Sequence, residues 1–226
     1  MKKVGLVGGI SWVSTLDYYQ FINEGVNARL GGLNAAECMI YSLNFNDVQA
    51  KGWVNSFDLL LNACQHLKNS GVDSIVLCAN TAHLFADELE DKVQLPIIHI
   101  GTETAKAIQK AGLTKVGLIG TKFTMEMDFY KNKLEEYGLE VLVPDSQETR
   151  DYIQHTVKDE LGVGFINPET KTRYISIVGD LISRGAECII LGCTEIPMLI
   201  SQDDFSIPVF DTTKIHCEAI VDYIVL

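Results

Sequence analysis

The sequence predicts an α/β protein made of two similar halves with mainly parallel sheets. Two observations favour this fold class. Short β-branched runs end in Gly, Asn or Thr and lead into amphipathic stretches, as expected for buried parallel strands followed by helices. The order of these runs also repeats once along the 226 residues. Each half is therefore expected to carry its own sheet and helices.

Seven continuous apolar runs are predicted to form the strands. They are 4-VGLVGG-9, 75-IVLCANT-81, 95-LPIIHIG-101, 116-VGLIGT-121, 139-LEVLVP-144, 189-IILGCT-194 and 207-IPVFDT-212. The helices are expected in the amphipathic stretches that follow these runs.

The internal repeat consists of three matches in the same order, at offsets of 114, 112 and 112 residues. The matched pairs are 71-GVDSIVLCANT-81 with 185-GAECIILGCTE-195, 95-LPIIHIGTETAKAI-108 with 207-IPVFDTTKIHCEAI-220, and 4-VGLVGG-9 with 116-VGLIGT-121. Similar strings can arise by convergence of strand-turn-helix units, but a common order at nearly one offset favours a true repeat.

The repeat predicts a first domain over residues 1–99, with 210–226 returning to pack on it, and a second domain over 100–209. Ligands of α/β sheets bind beyond the carboxyl ends of the strands. We therefore expect the active site in the crevice between the two pseudo-symmetric domains.

Composition excludes several classes of protein. The formal net charge of −12 argues against non-specific binding to nucleic acid or to a membrane surface. The chain opens with MKKVGLVGGI, a strand pattern, and no apolar run approaches the ~18 residues of a membrane span. A cytoplasmic protein is expected. Its six cysteines form no C-x-x-C pair, so neither a disulfide framework nor a metal site is predicted.

Five ordered motifs resemble the aspartate/glutamate racemase family, which works without pyridoxal phosphate. They are 8-GGISWVST-15, 80-NTAH-83, 120-GTKFTME-126, 192-GCTEI-196 and 211-DTTKIH-216. The resemblance covers essentially the whole chain. It implies α-proton exchange on a small acidic amino acid by two cysteines, one on each face of the α-carbon, with no cofactor and in a homodimer.

The resemblance assigns the second catalytic cysteine to Cys193, but Ala79 occupies the position of the first. Cys78 lies one residue too early, and successive residues of a strand point to opposite faces. Cys193 is expected at a strand end, beside backbone N–H groups that favour its thiolate. An ordered water, or else Cys78, would have to serve the other face. Slow or directionally biased turnover is therefore expected.

The resemblance also implies a set of substrate-binding residues, for which helix capping and turn formation remain the alternative interpretation. The set comprises Ile10, Gln49, Ala79, Asn80, Thr81, Thr121, Thr124, Thr194 and Glu195. His83 is a candidate to orient Asn80 or the thiolate. A segment over 158–174, expected to be a loop, offers Lys171 and Arg173 as candidate cations for a substrate carboxylate.

Two other functions are compatible with Ala79. One is a single-cysteine lyase or isomerase acting on small dicarboxylic acids, because such reactions need only one protonation. The other is a ligand-binding homologue that has lost the chemistry.

Overall fold

The computed structural model describes all residues from Met1 to Leu226 and has an α/β fold with two parallel sheets. The α-carbon contacts divide the chain into two compact units. The first unit comprises Met1–Ile100 together with His216–Leu226, and the second comprises Gly101–Ile215. The fold class predicted from the sequence is confirmed.

The first unit contains a three-stranded sheet in the order β2-β1-β3, in which every pair is parallel. Its strands are β1 (Val4–Gly8), β2 (Cys38–Ser42) and β3 (Ser74–Leu77). The helices within it are α1 (Trp12–Leu30), α2 (Phe45–Lys51), α3 (Phe57–Asn69) and α4 (Ala86–Val93). A 3-10 helix over Asn80–Phe85 follows β3.

The second unit contains a four-stranded parallel sheet in the order β5-β4-β6-β7. Its strands are β4 (Lys115–Gly120), β5 (Glu140–Leu142), β6 (Cys188–Gly192) and β7 (Val209–Asp211). Its helices are α5 (Ile100–Lys110), α6 (Lys122–Glu126), α7 (Asp128–Glu135), α8 (Gln147–Asp159) and α9 (Pro168–Ser183). The last helix, α10 (Thr212–Val225), belongs to the first unit from His216 onward. No helix combines the length and apolar character needed to cross a membrane.

Local sequence explains where the main helices begin and end. The side chain of Ser11 accepts a hydrogen bond from the backbone of Ser14 and so caps α1, which ends before Gly31 at a φ of 71°. Asn167 caps α9 in the same way and is followed by Pro168, whose missing N–H costs nothing in the first turn. These caps satisfy backbone donors that a helix leaves unpaired at its start.

The repeat seen in the sequence recurs in the hydrogen bonds within each unit. In the first unit the backbone N–H of Ile75 donates to the carbonyl of Pro96 at 3.0 Å. In the second unit Ile189 donates to Pro208, also at 3.0 Å. The two acceptors are one of the aligned pairs of the repeat.

Each unit has its own core. In the first, α1 and α10 contribute Tyr18, Ile22 and Ile220 to a cluster with strand residues of the sheet. In the second, Ile153 and Tyr174, from α8 and α9, pack with the β6 residue Ile189.

The strand prediction is wrong in two places. The run over 95–101 forms only an isolated parallel bridge between Ile97 and Ile75, because the chain turns into α5 at Ile100. The apolar-run pattern missed β2, an edge strand on which Met39 and Ile40 are exposed.

Candidate active site

The carboxyl edge of the second sheet brings two of the predicted motifs together. β4 and β6 are neighbouring strands, with Gly120 opposite Gly192 at the end of the ladder. A Cβ atom on Gly120 would lie 2.8 Å from the carbonyl oxygen of Gly192, so the two backbones can approach only because both residues are glycine. Thr121 and Cys193, the next residues, therefore begin adjacent loops.

Thr121 and Thr124 lie beside this glycine pair. Thr121 caps α6 by accepting a hydrogen bond from the backbone N–H of Thr124 at 3.3 Å, and the two hydroxyl oxygens are 3.0 Å apart. The Cγ2 atom of Thr124 is 3.1 Å from the place a Cβ on Gly192 would take. Thr121 is therefore a helix-capping residue, as the alternative interpretation held. The hydroxyls of Thr121 and Thr124 both lie at the carboxyl edge of the sheet.

Cys193 forms a short thiol–carboxylate contact. Its side chain is buried, and the residue is 6% exposed. Sγ donates to Oε2 of Glu195 at 2.9 Å, and the Thr194 hydroxyl donates to the same oxygen at 2.8 Å. Three consecutive predicted site residues are thus joined in one hydrogen-bonded group.

The electrostatics of Cys193 differ from the sequence-based expectation. Burial raises the pKa of the thiol well above its usual range, and the negative charge of Glu195 raises it further. The backbone N–H groups of Glu195 and Thr194 lower the pKa, as expected, but their effect is outweighed. The expected net stabilisation of the thiolate is therefore wrong for the free protein, in which Cys193 is held protonated.

Tyr174 is a neighbour of this group that the sequence did not reveal. It is buried in the same core cluster as Cys193, and its hydroxyl is 2.8 Å from the hydroxyl of Thr156. Burial raises the pKa of Tyr174. The residue was overlooked because the expected loop over 158–174 is in fact partly helical, with Tyr174 inside α9.

The two candidate cations of that segment also lie on α9 and already have partners. Lys171 forms an ion pair with Asp204 at 2.9 Å. The guanidinium of Arg173 stacks 3.8 Å from the ring centre of Tyr152 and is 4.0 Å from Glu148. The expectation that this segment is a loop is wrong for residues 168–174, which are helical.

In the first unit, Ala79 and Cys78 differ sharply in environment. Ala79 is half-buried in an extended conformation and precedes the 3-10 helix that contains Asn80 and Thr81. Cys78 is 1% exposed and belongs to the core cluster with Cys217. Burial raises the pKa of the Cys78 thiol well above its usual range. Cys78 is thus a packed core residue, as its one-residue displacement suggested.

The remaining predicted residues of the first unit lie on different elements. Ile10, 5% exposed, follows β1, which pairs directly with β3. The preceding Gly9 has a φ of 79° and donates its N–H to the Thr15 hydroxyl at 2.9 Å. Gln49 is exposed on α2, which is separate in sequence from the turn after β1 and from the turn after β3.

His83, which contacts the turn at Ala79, packs against two other histidines. Nδ1 of His83 donates to the Ala79 carbonyl at 3.0 Å, and the ring of His83 lies 4.8 Å from that of His99 and 5.4 Å from that of His216. The hydroxyl of Tyr18 is 2.8 Å from Nδ1 of His216. Burial lowers the pKa of His83 to about 4 and that of His216 to about 3, the latter with a contribution from His83. The motifs pointed to His83, in 80-NTAH-83, and to His216, in 211-DTTKIH-216, but nothing in the sequence pointed to His99.

Comparison with known families identifies the family of this chain. The Asp/Glu/hydantoin racemase model matches residues 7–220, most of the chain. The chain belongs to this family. The resemblance inferred from the five motifs is therefore confirmed.

Two solved structures align with the whole chain. One is an Asp/Glu racemase candidate from Yersinia pestis, at 43% identity and a TM-score of 0.93. The other is an aspartate racemase homologue from Pyrococcus horikoshii, at 37% identity and a TM-score of 0.86. Both alignments cover 100% of each chain.

Sequence relatives are more distant. The broad specificity amino-acid racemase RacX of Bacillus subtilis is 27% identical over 155 residues, which are 68% of this chain and 66% of RacX. The chain thus spans somewhat less than two thirds of that relative, and 52% of the glutamate racemase of Aquifex pyrophilus.

Proposed function

We propose that the protein is an amino-acid racemase of the aspartate/glutamate type, which exchanges the α-proton of a small acidic amino acid through Cys193. The observation that supports this role is the contact of its thiol with a carboxylate at the carboxyl end of β6. Membership of the racemase family supports the reaction class. The names of the relatives, which include aspartate, glutamate and broad-specificity racemases, support the substrate class.

In the proposed reaction Cys193 acts as both base and acid on one face of the α-carbon. As a thiolate it removes the α-proton, and as a thiol it returns a proton to the carbanion. A thiol suits this exchange because its ordinary pKa, ~8.5, lies closer to neutral pH than that of a hydroxyl. No cofactor is proposed for this chemistry.

Polar groups must hold the substrate carboxylates once water is excluded. In the second unit, the hydroxyls of Thr121 and Thr124 are the proposed donors. In the first unit, Asn80 and Thr81 are proposed to bind substrate with Ile10, Ala79 and Gln49. Both threonines at the end of β4 lie within hydrogen-bonding distance of each other, which suits a shared anionic ligand.

Ala79 should limit the reaction on the opposite face, because a methyl group has no proton to deliver. Cys78 is packed in the core, so an ordered water is the better candidate for the second proton. We therefore propose slow or directionally biased racemisation. Ala79→Cys should accelerate inversion if the remainder of the site is intact.

The decisive experiment follows loss of the α-proton signal by NMR in deuterium oxide, with each enantiomer of aspartate and glutamate. Wild-type protein should incorporate deuterium into at least one enantiomer, and Cys193→Ser should lose this activity. Cys188→Ala is a control, because Cys188 is a buried thiol on β6, the strand that Cys193 directly follows. Full activity of Cys193→Ser would refute the proposed role.

A second function is favoured by Ala79 itself. A lyase or isomerase acting on small dicarboxylic acids needs one protonation, so a single thiol with a methyl group at position 79 would suffice. Turnover of a malonate-type acid or of maleate, without α-proton exchange on any amino acid, would establish this alternative. If acidic amino acids raise the melting temperature and no compound turns over, the protein is a binding homologue.

The homodimer and the cytoplasmic location remain predictions. Analytical ultracentrifugation across protein concentrations would test the first, and cell fractionation would test the second. Neither is needed for the proposed role of Cys193.

A further inference from the structure

The contact between Cys193 and Glu195 raises a question about how the thiol becomes a base. Sγ and the Thr194 hydroxyl both donate to the same carboxylate oxygen, at 2.9 and 2.8 Å. Both donors therefore point at Oε2, and the thiol proton already lies between sulfur and oxygen. A carboxylate in this position can accept that proton without any rearrangement of the main chain.

The environment of the thiol makes such an acceptor necessary. Cys193 is buried, and both its burial and the adjacent negative charge oppose a second anion at sulfur. A thiolate can form with little penalty only if the proton stays local and neutralises the carboxylate, because the net charge of the pair is then unchanged.

We propose that Glu195 is a positioning residue that takes the thiol proton from Cys193 when the sulfur acts as a base, and returns it afterwards. The inference rests on the proposed function and deepens it. Resemblance placed Glu195 among the substrate contacts, whereas its hydrogen bonds within the second unit direct one of its oxygens at the catalytic sulfur.

The proton balance is simple. The Sγ–H bond breaks as Oε2 binds its proton, and the freed lone pair of sulfur forms a new S–H bond with the α-hydrogen of the substrate. The electrons of the broken Cα–H bond remain on the substrate. On return, Sγ–H protonates the α-carbon, and Glu195 gives its proton back to sulfur. Solvent deuterium enters the substrate when the S–H proton taken from the α-carbon exchanges with water, directly or through the carboxyl group, before sulfur returns a proton to the carbanion.

The hydroxyl of Thr194 completes the arrangement. By donating to Oε2 it fixes the rotation of the carboxylate, and it leaves that oxygen a further lone-pair position for the thiol proton.

Glu195→Gln provides a test in which two readouts should move in opposite directions. The amide keeps the size of the side chain and can accept a hydrogen bond, but it carries no charge and takes no proton at neutral pH. The α-proton exchange should fall about 100-fold in kcat, the lower end of the range for general acid–base groups, while KM changes less than about threefold.

Alkylation of Cys193 by iodoacetamide, followed by mass spectrometry as a function of pH, is the second readout. Because the amide removes the negative charge, the pH midpoint of alkylation should fall by about one unit or more, which makes the thiol about tenfold more reactive near neutral pH. A general structural disturbance would not make the Cys193 thiol more reactive toward iodoacetamide while it lowers α-proton exchange.

Glu160→Gln is the matched control, because Glu160 accepts a hydrogen bond from the Thr170 hydroxyl at 2.7 Å in the same unit. Neither readout should change in that variant. Should Glu195→Gln fail to fold, Glu195→Asp replaces it: the shorter carboxylate should retain part of the exchange and leave the alkylation midpoint high.

Unchanged exchange in Glu195→Gln, or an alkylation midpoint that stays or rises, would overturn the inference while leaving Cys193 catalytic. A large increase in KM with unchanged kcat would instead return Glu195 to the substrate contacts. If the wild-type protein exchanges no α-proton, the proposed racemase fails, and the alkylation midpoints alone still decide whether the carboxylate controls the thiol.

Discussion

Acidification from about pH 8 to about pH 5 should strongly destabilise the first unit, because two buried histidines bind protons when it unfolds. Their ordinary pKa is about 6.5. In the folded protein burial lowers it to about 4 for His83 and about 3 for His216. A histidine with a lowered pKa contributes its full stability above pH ~6.5, and this stability is lost as the pH falls toward the folded pKa.

The size of the effect follows from the pKa difference. At pH about 5 the unfolded chain holds both protons and the folded unit holds almost none. Over the interval of about 1.5 pH units between the ordinary pKa and about pH 5, protonation of each histidine in the unfolded chain lowers the free energy of unfolding by about 2 kcal/mol. The pair therefore lowers it by about 4 kcal/mol. Between about pH 5.5 and about pH 4.5 the slope should approach 2.7 kcal/mol per pH unit, approximately twice the value for one proton.

Urea unfolding followed by tryptophan fluorescence is a suitable assay. The chain has two tryptophans, Trp12 and Trp53, and both belong to the unit that carries the histidines. With an m-value of about 2 kcal/mol per molar urea, the transition midpoint should fall by about 2 M between pH 8 and pH 5. His83→Gln removes one of the two protons, so its slope should be about half that of the wild type.

The slope is the useful quantity, because it does not depend on how much the substitution itself destabilises the unit. His66→Gln serves as the control, since His66 is exposed on α3 and should leave the slope unchanged. A stability that is constant between pH 7 and pH 5, or an undiminished slope in His83→Gln, would refute the reasoning.

Three further substitutions test packing in the second unit. Gly120→Ala should cost about 1–3 kcal/mol and reduce α-proton exchange, because its Cβ meets the Gly192 carbonyl at 2.8 Å; urea unfolding and NMR measure the two effects. Gly179→Ala should stabilise the second unit by about 1 kcal/mol in urea unfolding followed by circular dichroism, because Gly179 is exposed inside α9 and its Cβ would meet no atom. Tyr174→Phe should cost about 1 kcal/mol, since it removes the buried hydrogen bond to Thr156; thermal unfolding should reveal a melting temperature lower by about 2–4 °C.

The sequence predicted six of the seven strands, including the partly buried β5 and β7, and the signal was strongest for the strands that are buried along their whole length. β1, β3 and β6 have every residue buried and appear as continuous apolar runs. β2 escaped prediction because an edge strand with exposed Met39 and Ile40 does not require such a run. The run over 95–101 was over-interpreted, since apolar residues there serve one bridge and then the start of α5.

Motif order predicted Cys193 and its neighbours as candidate site residues, but it did not predict the protonation state of the thiol. Backbone donors could be expected from the strand end, whereas burial and the direction of the Glu195 side chain depend on packing. Tyr174 reaches its position through contacts distant in sequence, which no local pattern reports. His216 belongs to the motif 211-DTTKIH-216, but the motif does not show that its ring packs against that of His83.

The repeat also explains why exchange of the α-proton should outpace inversion. At the offset of 114 residues, Ala79 corresponds to Cys193 and Thr81 to Glu195, so the first turn lacks both members of the thiol–carboxylate pair. A turn that had lost its thiol alone would retain a carboxylate beside a methyl group, and that charge would repel an acidic substrate. Thr81 leaves no such charge, and the first turn is accordingly suited to binding. Proton removal and return then fall to one pair on one face. Deuterium should therefore enter the starting enantiomer faster than the opposite enantiomer accumulates, a ratio that NMR and chiral chromatography measure together. Equal rates would require a second proton donor and would refute this argument.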